Sequence, residues 1–137
     1  ELGDWQWRQR PYKGLAAYAQ TKRGQVILAE LLSEHFAGTT LRFNSMHPGW
    51  CDTTMVRDSI PRFQRFIGRR LRSHAQGADT AVWLAACQRI ADHSGRFWFD
   101  RQPQPTHVMS RTVESPDDRA RLWSLCTEQC GDLVAPH

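Results

Sequence analysis

Two strand-like stretches alternate with three helix-like stretches, and this alternation constrains the fold more than any other feature of the 137-residue chain. The strand patterns occupy residues 41–48 (LRFNSMHP) and 94–100 (SGRFWFD). The helical patterns occupy residues 15–36, residues 75–90 and a third stretch that begins after Ser115. Helices between strands favour parallel strands with helical crossovers, so we predict an α/β domain. Two strands do not make a self-sufficient doubly wound sheet, so the pattern predicts one side of a larger domain.

Turn-forming and capping residues set the limits of these elements. Residues 1–14 are polar and aromatic, contain Pro11 and Gly14 as helix breakers and predict a loop. Ser115 predicts a helix N-cap and Gly131 a helix end, so the third helix is the best delimited of the three. Gly77 lowers the helix propensity near the start of the second helix. The proline-containing stretch 102–107 (QPQPTH) predicts a loop.

The composition is that of an ordinary globular domain. Hydrophobic residues make up 40% of the chain and charged residues 23%, which argues against a disordered or membrane-spanning sequence. No apolar run approaches the ~20 residues that span a bilayer, and the first fourteen residues lack the apolar centre of a signal peptide. We expect a cytoplasmic location, or a peripheral one on an intracellular membrane.

The four cysteines are too sparse for the disulfide framework of a small secreted chain, so we predict reduced thiols. Cys126 and Cys130 stand four apart on the predicted third helix. A metal ion would need two further ligands, and nothing in the sequence fixes His107 or His137 nearby. We therefore predict no metal site.

Tyr18 and Lys22 stand four residues apart on the first helix, so their side chains share one face. A phenol titrates near pH ~10 in water, and a nearby ammonium favours its ionised form. A tyrosine assisted in this way gives a proton to a carbonyl oxygen or takes one from an alcohol. The alternative is a pair of surface residues without a role, because this spacing occurs on many helices.

Beyond this helix, the chain resembles the short-chain dehydrogenase/reductase family. That family has a Tyr-x-x-x-Lys helix, then a strand, then Pro-Gly and a threonine a few residues on; the matching residues here are Tyr18, Lys22, Pro48, Gly49 and Thr53. Four segments are similar in sequence to retinol-dehydrogenase-like members of the family: AYAQTKRGQVILAELL, MHPGWCDTTMV, QGADTAVWLA and SGRFWFDRQPQPTH. The resemblance covers roughly residues 10–110. It implies a Rossmann-type domain, of which this chain is the C-terminal part.

The resemblance implies a role for each matching residue. Tyr18 resembles the catalytic acid/base, and Lys22 resembles the residue that assists the tyrosine and holds the nicotinamide ribose. The next segment resembles the loop whose backbone contacts the nicotinamide carboxamide, and comprises Pro48, Gly49, Trp50 and Cys51. Thr53 matches a hydroxyl contact near the nicotinamide and pyrophosphate. Cys51 replaces an aliphatic residue and is interpreted as a packing residue.

Two parts of the family pattern are missing from these 137 residues. No two glycines stand two apart, so the glycine-rich turn for the cofactor pyrophosphate is absent. Residues 1–17 contain no serine, so the family's catalytic serine is absent too. We therefore expect one partial domain: a loop (1–14), the catalytic-helix, cofactor-loop and lid region (15–110) and a C-terminal helix and tail (111–137). As an isolated polypeptide it is expected to be inactive.

The net charge of +4 is concentrated in residues 62–73 (RFQRFIGRRLRS), whose arginines are Arg62, Arg65, Arg69, Arg70 and Arg72. The family has a variable segment here that covers the substrate, so the resemblance implies a lid with a solvated basic face. The alternative is peripheral contact with an anionic membrane. No nucleic-acid motif accompanies the charge, so we expect no nucleic-acid partner.

The resemblance implies hydride transfer between NAD or NADP and a carbonyl or alcohol carbon of a small hydrophobic substrate. The sequence does not distinguish NAD from NADP. The alternative function is that of a truncated, non-catalytic product that acts, if at all, as an interaction module. Its exposed sheet edge favours association, so a homo-oligomer is also an expectation.

Overall fold

The computed structural model describes residues 3–52 and 71–131, and within these ranges the chain is a mixed α/β structure. The helices and strands follow one another in the order α1 (Gly14–His35), β1 (Ser45–Met46), α2 (His74–Ala86), β2 (Phe97–Phe99), β3 (Gln102–Gln104) and α3 (Pro116–Cys130). Two short 3-10 turns, at Gln88–Ile90 and Ser110–Thr112, lie between these elements. The small mixed sheet fits a partial Rossmann-type domain.

The first helix follows the amphipathic pattern that predicted it and differs from the predicted span by one residue at each end. Its inner face is buried at Gly24 and Ile27, and Ile27 is 1% exposed. A Cβ built at Gly24 would come within 2.8 Å of the Trp5 ring. The glycine therefore allows the segment before α1 to pack closely against the helix.

The sheet has three strands in the order β1-β2-β3. Strands β1 and β2 are parallel, with Ser45 opposite Phe97 and Met46 opposite Trp98. Trp98 is 3% exposed and forms part of the core. The pairing of the two predicted strands is as expected, although both are shorter than their predicted ranges.

The predicted loop at 102–107 is wrong for its first three residues, which form β3 antiparallel to β2. Asp100 and Arg101 link the two strands, and both have positive φ angles of 50° and 59°. Positive φ at both central residues matches the twist of a tight hairpin. Proline is tolerated on an edge strand such as β3, where Pro103 lies, so the breakers did not exclude a strand.

The second helix begins with a capping box, in which Ser73 and Gln76 exchange hydrogen bonds between side chain and backbone. It ends at Ala86 rather than continuing to residue 90, because Cys87 has an extended backbone. The glycine that weakened the helix prediction, Gly77, is buried, and a Cβ there would overlap the Cys51 sulfur. Position 77 therefore requires a glycine because a side chain there would have no room, and not because the backbone needs to be flexible.

The third helix begins and ends where its N-cap serine and its terminal glycine predicted. The Ser115 hydroxyl accepts the backbone N–H of Asp118 at 3.1 Å, and Gly131 ends the helix with a φ of 60°. Leu122 on its inner face is 5% exposed, and Trp123 stacks on His35 with ring centroids 4.7 Å apart. The helix thereby packs against α1. Among the described residues, none of the helices is long and apolar enough to cross a membrane.

Candidate active site

Tyr18 and Lys22 lie together on the exposed face of α1, opposite its buried face. The Tyr18 side chain is about half exposed, and the Lys22 Nζ lies 5.8 Å from the centroid of its ring. Lys22 donates a hydrogen bond of 3.2 Å to Gln25 on the next turn. Both polar groups therefore face solvent, where a ligand can reach the phenol and the ammonium at once.

The 48–51 loop begins two residues after β1 ends and turns sharply at Gly49. Gly49 has a φ of 77°, a conformation that favours glycine, and its N–H donates to His47 Nδ1 at 2.9 Å. His47 thus has a structural role in shaping the loop. The Trp50 side chain is half exposed. The Cys51 sulfur lies against Gly77 of α2, which is the packing role expected for this cysteine.

Arg72 contacts the 48–51 loop through both its backbone and its side chain. Its N–H donates to the carbonyl of Trp50 at 2.8 Å, and its carbonyl accepts the N–H of Asp52 at 3.0 Å. Its guanidinium donates two hydrogen bonds of 2.5 Å to the carboxylate of Asp100 and a longer one, of 3.4 Å, to the Pro48 carbonyl. Arg72, whose side chain is 28% exposed, therefore also binds within the fold, and the lid with a solvated basic face at residues 62–73 stays a prediction.

The Arg72–Asp100 pair changes the titration of both groups. The hydrogen bond to Asp100 is the main reason that the pKa of Arg72 is raised, and the same bond holds the pKa of Asp100 below its usual range. The guanidinium also lies over the Phe99 ring, 4.9 Å from its centroid. Sequence analysis missed this pair, although Asp100 directly follows a strand and Arg72 directly precedes a helix cap.

A second ion pair joins the β2–β3 turn to α2. Arg101 forms a bidentate contact with Asp79, and its Nε lies 2.8 Å from Oδ2 of that residue. The Arg101 backbone N–H also donates to the buried Thr80 hydroxyl at 3.3 Å. The turn is thus held on one side by α2 and on the other by Arg72.

A third group of charges lies on the face of α1 away from Tyr18. The Glu114 carboxylate accepts hydrogen bonds from Arg23 at 2.7 Å and from Arg119 at 3.2 Å. Arg23 also donates to the carbonyl of Thr106 at 2.7 Å, and its guanidinium contacts His107. This group fixes the segment before α3 against the candidate catalytic helix.

Several sequence predictions concern residues outside the described ranges. Thr53 lies there, as do Arg62, Arg65, Arg69 and Arg70, so their placement stays a prediction. Within residues 3–52 and 71–131, no three His, Cys, Asp or Glu side chains are grouped so as to hold a metal ion. All four cysteines are free thiols.

Comparison with known proteins decides the family. No family model matches the chain. Dehydrogenase/reductase SDR family member 12 from Bos taurus is 45% identical over an alignment of 127 positions that covers 91% of this chain and 39% of that protein. The protein of the same name from Homo sapiens is 46% identical over an alignment of 124 positions that covers 89% of this chain and 38% of that protein.

The chain belongs to the short-chain dehydrogenase/reductase family. A more distant member, retinol dehydrogenase 13 from Homo sapiens, is 28% identical over an alignment of 144 positions that covers 99% of this chain and 42% of that protein. The chain spans about two fifths of the length of these three short-chain dehydrogenase/reductase relatives. The similarity extends over nearly the whole chain and so includes α1, the 48–51 loop and the sheet.

Proposed function

We propose that this chain contributes the proton-transfer half of an NAD(P)-dependent oxidoreductase site. The reaction is hydride transfer to or from a carbonyl or alcohol carbon. The observation that supports this most directly is the exposed pairing of Tyr18 and Lys22 on one face of α1, with 5.8 Å between the ammonium and the ring centroid. The names of the relatives support the same class of reaction.

In this proposal Tyr18 holds the transferred proton on its hydroxyl. In carbonyl reduction the Tyr18 hydroxyl donates its proton to the developing alkoxide oxygen, and in alcohol oxidation the Tyr18 phenolate accepts the proton of the alcohol. The Lys22 ammonium stabilises the phenolate that remains. NAD(P)H, when bound, supplies the hydride. Lys22 donates one hydrogen bond within α1, and an ammonium has three donors, so it can also hold ribose hydroxyls.

The 48–51 loop fits a contact with a planar amide. It lies at the carboxyl end of β1, the end of a parallel strand where α/β proteins bind ligands. Gly49 is turned by its positive φ, and the loop contacts with His47 and Arg72 hold its backbone in one shape. We propose that its backbone meets the nicotinamide carboxamide and that Thr53 adds a hydroxyl contact beyond it.

A Tyr18→Phe substitution in the full polypeptide that carries this sequence tests the role of the tyrosine. We expect kcat to fall by roughly a hundredfold to ten-thousandfold, the usual contribution of a positioned acid/base, with cofactor affinity unchanged. The matched control is Tyr12→Phe, because Tyr12 is the other of the two tyrosines in the chain and is 73% exposed. Unchanged turnover in the Tyr18 variant would refute the proposed function.

We further propose that the isolated 137-residue chain binds NAD(P)H weakly. It has no G-x-G turn with which to hold the pyrophosphate. Fluorescence titration with NADPH should show no saturable binding in the micromolar range. Tight binding would contradict this proposal and would mean that the described half of the site is sufficient for the cofactor.

The substrate and the cellular location are also proposals. A small hydrophobic carbonyl or alcohol compound is favoured by the exposed apolar side chain of Leu15, which lies one turn before Tyr18 on α1. Location in the cytoplasm, or at the surface of an intracellular membrane through residues 62–73, is tested by liposome flotation. If the fraction of protein that floats with the liposomes does not increase with their content of anionic lipid, membrane contact through residues 62–73 is excluded.

A further inference from the structure

The β2–β3 turn is an unusual place for two charged residues. Both central residues of the turn, Asp100 and Arg101, have positive φ, a conformation that side chains with a Cβ rarely adopt. Turns of this kind favour Asn-Gly or Asp-Gly, and Arg at the second position is unfavourable. Such backbone conformations persist only where surrounding contacts hold them in place.

Each of the two turn residues forms one bidentate ion pair, and the two pairs have different partners. Asp100 binds Arg72, which lies beside the 48–51 loop. Arg101 binds Asp79, which lies on α2. Of these two pairs, only the Arg72–Asp100 pair also contacts the candidate cofactor loop.

The Arg72 side chain fills the space beside Gly49. A Cβ built at Gly49 would come within 2.7 Å of both Cδ and Nε of Arg72. The Nη1 of Arg72 reaches the Pro48 carbonyl, and its backbone is paired with those of Trp50 and Asp52. The loop is thus held along its whole length by one arginine, and Asp100 fixes the orientation of the arginine.

We propose that Arg72 and Asp100 are positioning residues, which keep the 48–51 loop in the shape required to contact the nicotinamide. This inference rests on the proposed function for its consequence in catalysis, but the positioning itself is a property of the fold. Neither residue touches the reacting atoms. A planar guanidinium suits the task because it forms two parallel hydrogen bonds at fixed geometry, which a lysine does not.

The first experiment measures the shape of the loop without any activity. Cys51 lies in the loop, so the rate at which a thiol reagent such as iodoacetamide labels it reports local opening. Because Cys126 is on α3, far along the chain from the loop, it serves as the internal standard for global unfolding. Labelling of each cysteine is followed by peptide mass spectrometry.

We expect Arg72→Met and Asp100→Asn each to raise the Cys51 labelling rate about tenfold, as local loss of a charge-assisted pair would do, with Cys126 unchanged. The double variant should add little to either single variant, because both remove the same pair. The matched control is Arg101→Met, which removes the other ion pair of the same turn. It should change the Cys51 rate less than about twofold.

Three outcomes would overturn the inference. One is an unchanged Cys51 rate in both variants, and another is an equal rise at Cys51 and Cys126, which would indicate a general loss of stability. The third is an equal effect of Arg101→Met on Cys51, which would assign the effect to the turn rather than to the pair. Each of these labelling rates is measured on the 137-residue chain and needs no activity assay.

The second experiment separates positioning from chemistry in the full polypeptide. Arg72→Met and Asp100→Asn should raise KM for the nicotinamide cofactor about tenfold while kcat falls much less, because the loop and not the proton donor is disturbed. Arg72→Lys should not restore the wild-type value. An unchanged KM would show that the pair does not act on cofactor binding and would overturn this part of the inference.

The two experiments also distinguish the inference from the proposed function. If Tyr18→Phe leaves turnover unchanged, the proposed function fails, whereas the Cys51 labelling still decides whether the pair holds the loop. If labelling is unaffected by the variants and Tyr18→Phe abolishes turnover, the positioning inference fails and the proposed function stands.

Discussion

Nη2 of Arg23 lies 2.7 Å from Oε2 of Glu114, and this contact joins the candidate catalytic helix to a segment 91 residues further along the chain. The Glu114 side chain is 2% exposed, so its charge is neutralised within the protein. His107 lies 3.5 Å from the same carboxylate oxygen, and Arg119 contacts the other. Arg119 also reaches two acidic residues of α1, Glu30 and Glu34.

Replacing the buried member of this network should be costly. We expect Glu114→Gln to lower the free energy of unfolding by about 3 kcal/mol, because Arg23 and Arg119 are left without their shared counter-charge. The control is Glu34→Gln, which removes an exposed partner of Arg119 and should cost less than about 1 kcal/mol. Urea denaturation followed by tryptophan fluorescence measures both, and equal costs would contradict the importance of burial.

The same carboxylate should make stability depend on pH. Burial by itself raises the pKa of Glu114, but hydrogen bonds from Arg23, from the backbone and from Arg119, together with the charge of Arg23, outweigh it, and the net pKa is lowered. A carboxylate whose pKa is lower in the folded state than in the unfolded state stabilises the protein at pH values above the unfolded-state pKa of ~4.3. This stabilisation is lost as the pH falls through the folded-state pKa.

This sign gives a direct comparison between wild type and Glu114→Gln. The difference in their free energy of unfolding should be constant from about pH 7 to pH 5 and should shrink below about pH 4, because the carboxylate of the unfolded wild type takes up protons before that of the folded protein does. Urea denaturation series at several pH values measure the difference. A difference that stays constant down to pH 3 would contradict the assignment of the titration to Glu114.

Gly77 should not tolerate a methyl group. The Cβ of Gly77→Ala would overlap the Cys51 sulfur, and overpacking of this kind costs about 1–3 kcal/mol, which the better helix propensity of alanine offsets by about 1 kcal/mol. A net loss of stability is expected. Gly14→Ala is the control, since its Cβ meets only the Tyr12 ring at 3.9 Å. It should cause no loss.

A second substitution tests the cause of that loss. Cys51→Ala removes the sulfur, so it should restore much of the stability of the Gly77→Ala variant while it lowers that of the wild type slightly. The coupling between the two positions is measured by a double-mutant cycle of denaturation curves. Additive effects would mean that Gly77→Ala acts through something other than this contact.

The outer edge of β1 should make the chain self-associate when it is expressed alone. Ser45 and His47 donate their N–H groups to the carbonyls of Arg96 and Trp98, which lie directly before β2 and within it. Met46 between them therefore directs its backbone groups to the other side, where no described strand pairs with it. Met46→Lys should weaken association, because a charged side chain on an edge strand disfavours pairing.

The control for this prediction uses the opposite edge of the sheet. Gln104→Lys changes β3, whose Pro103 has no N–H to offer a partner strand, and it should leave association unchanged. Sedimentation velocity at several concentrations measures the distribution of monomers and oligomers. Equal effects of the two substitutions, or a monomer at all concentrations, would contradict association through β1.

The helices show how much local sequence decides in this chain. The apolar period of α1 and the capping box at Ser115 act between residues three or four apart, so the limits of α1 and α3 could be predicted within a residue or so. The end of α2 could not, because Cys87 leaves the helix without a proline or glycine to signal it. The strand β3 was missed because Pro103 within it and Pro105 directly after it are typical of a loop.

The contacts of the candidate site also divide into one that local sequence sets and others that the tertiary structure sets. The sequence by itself determined that Tyr18 and Lys22 share a helix face, because a spacing of four residues on a helix allows no other result. Only the tertiary structure decided that Arg72 faces Asp100, 28 residues away, and that Glu114 meets Arg23, 91 residues away. Ion pairs between distant residues depend on how the chain returns to itself, and a single sequence carries no local pattern that fixes that return.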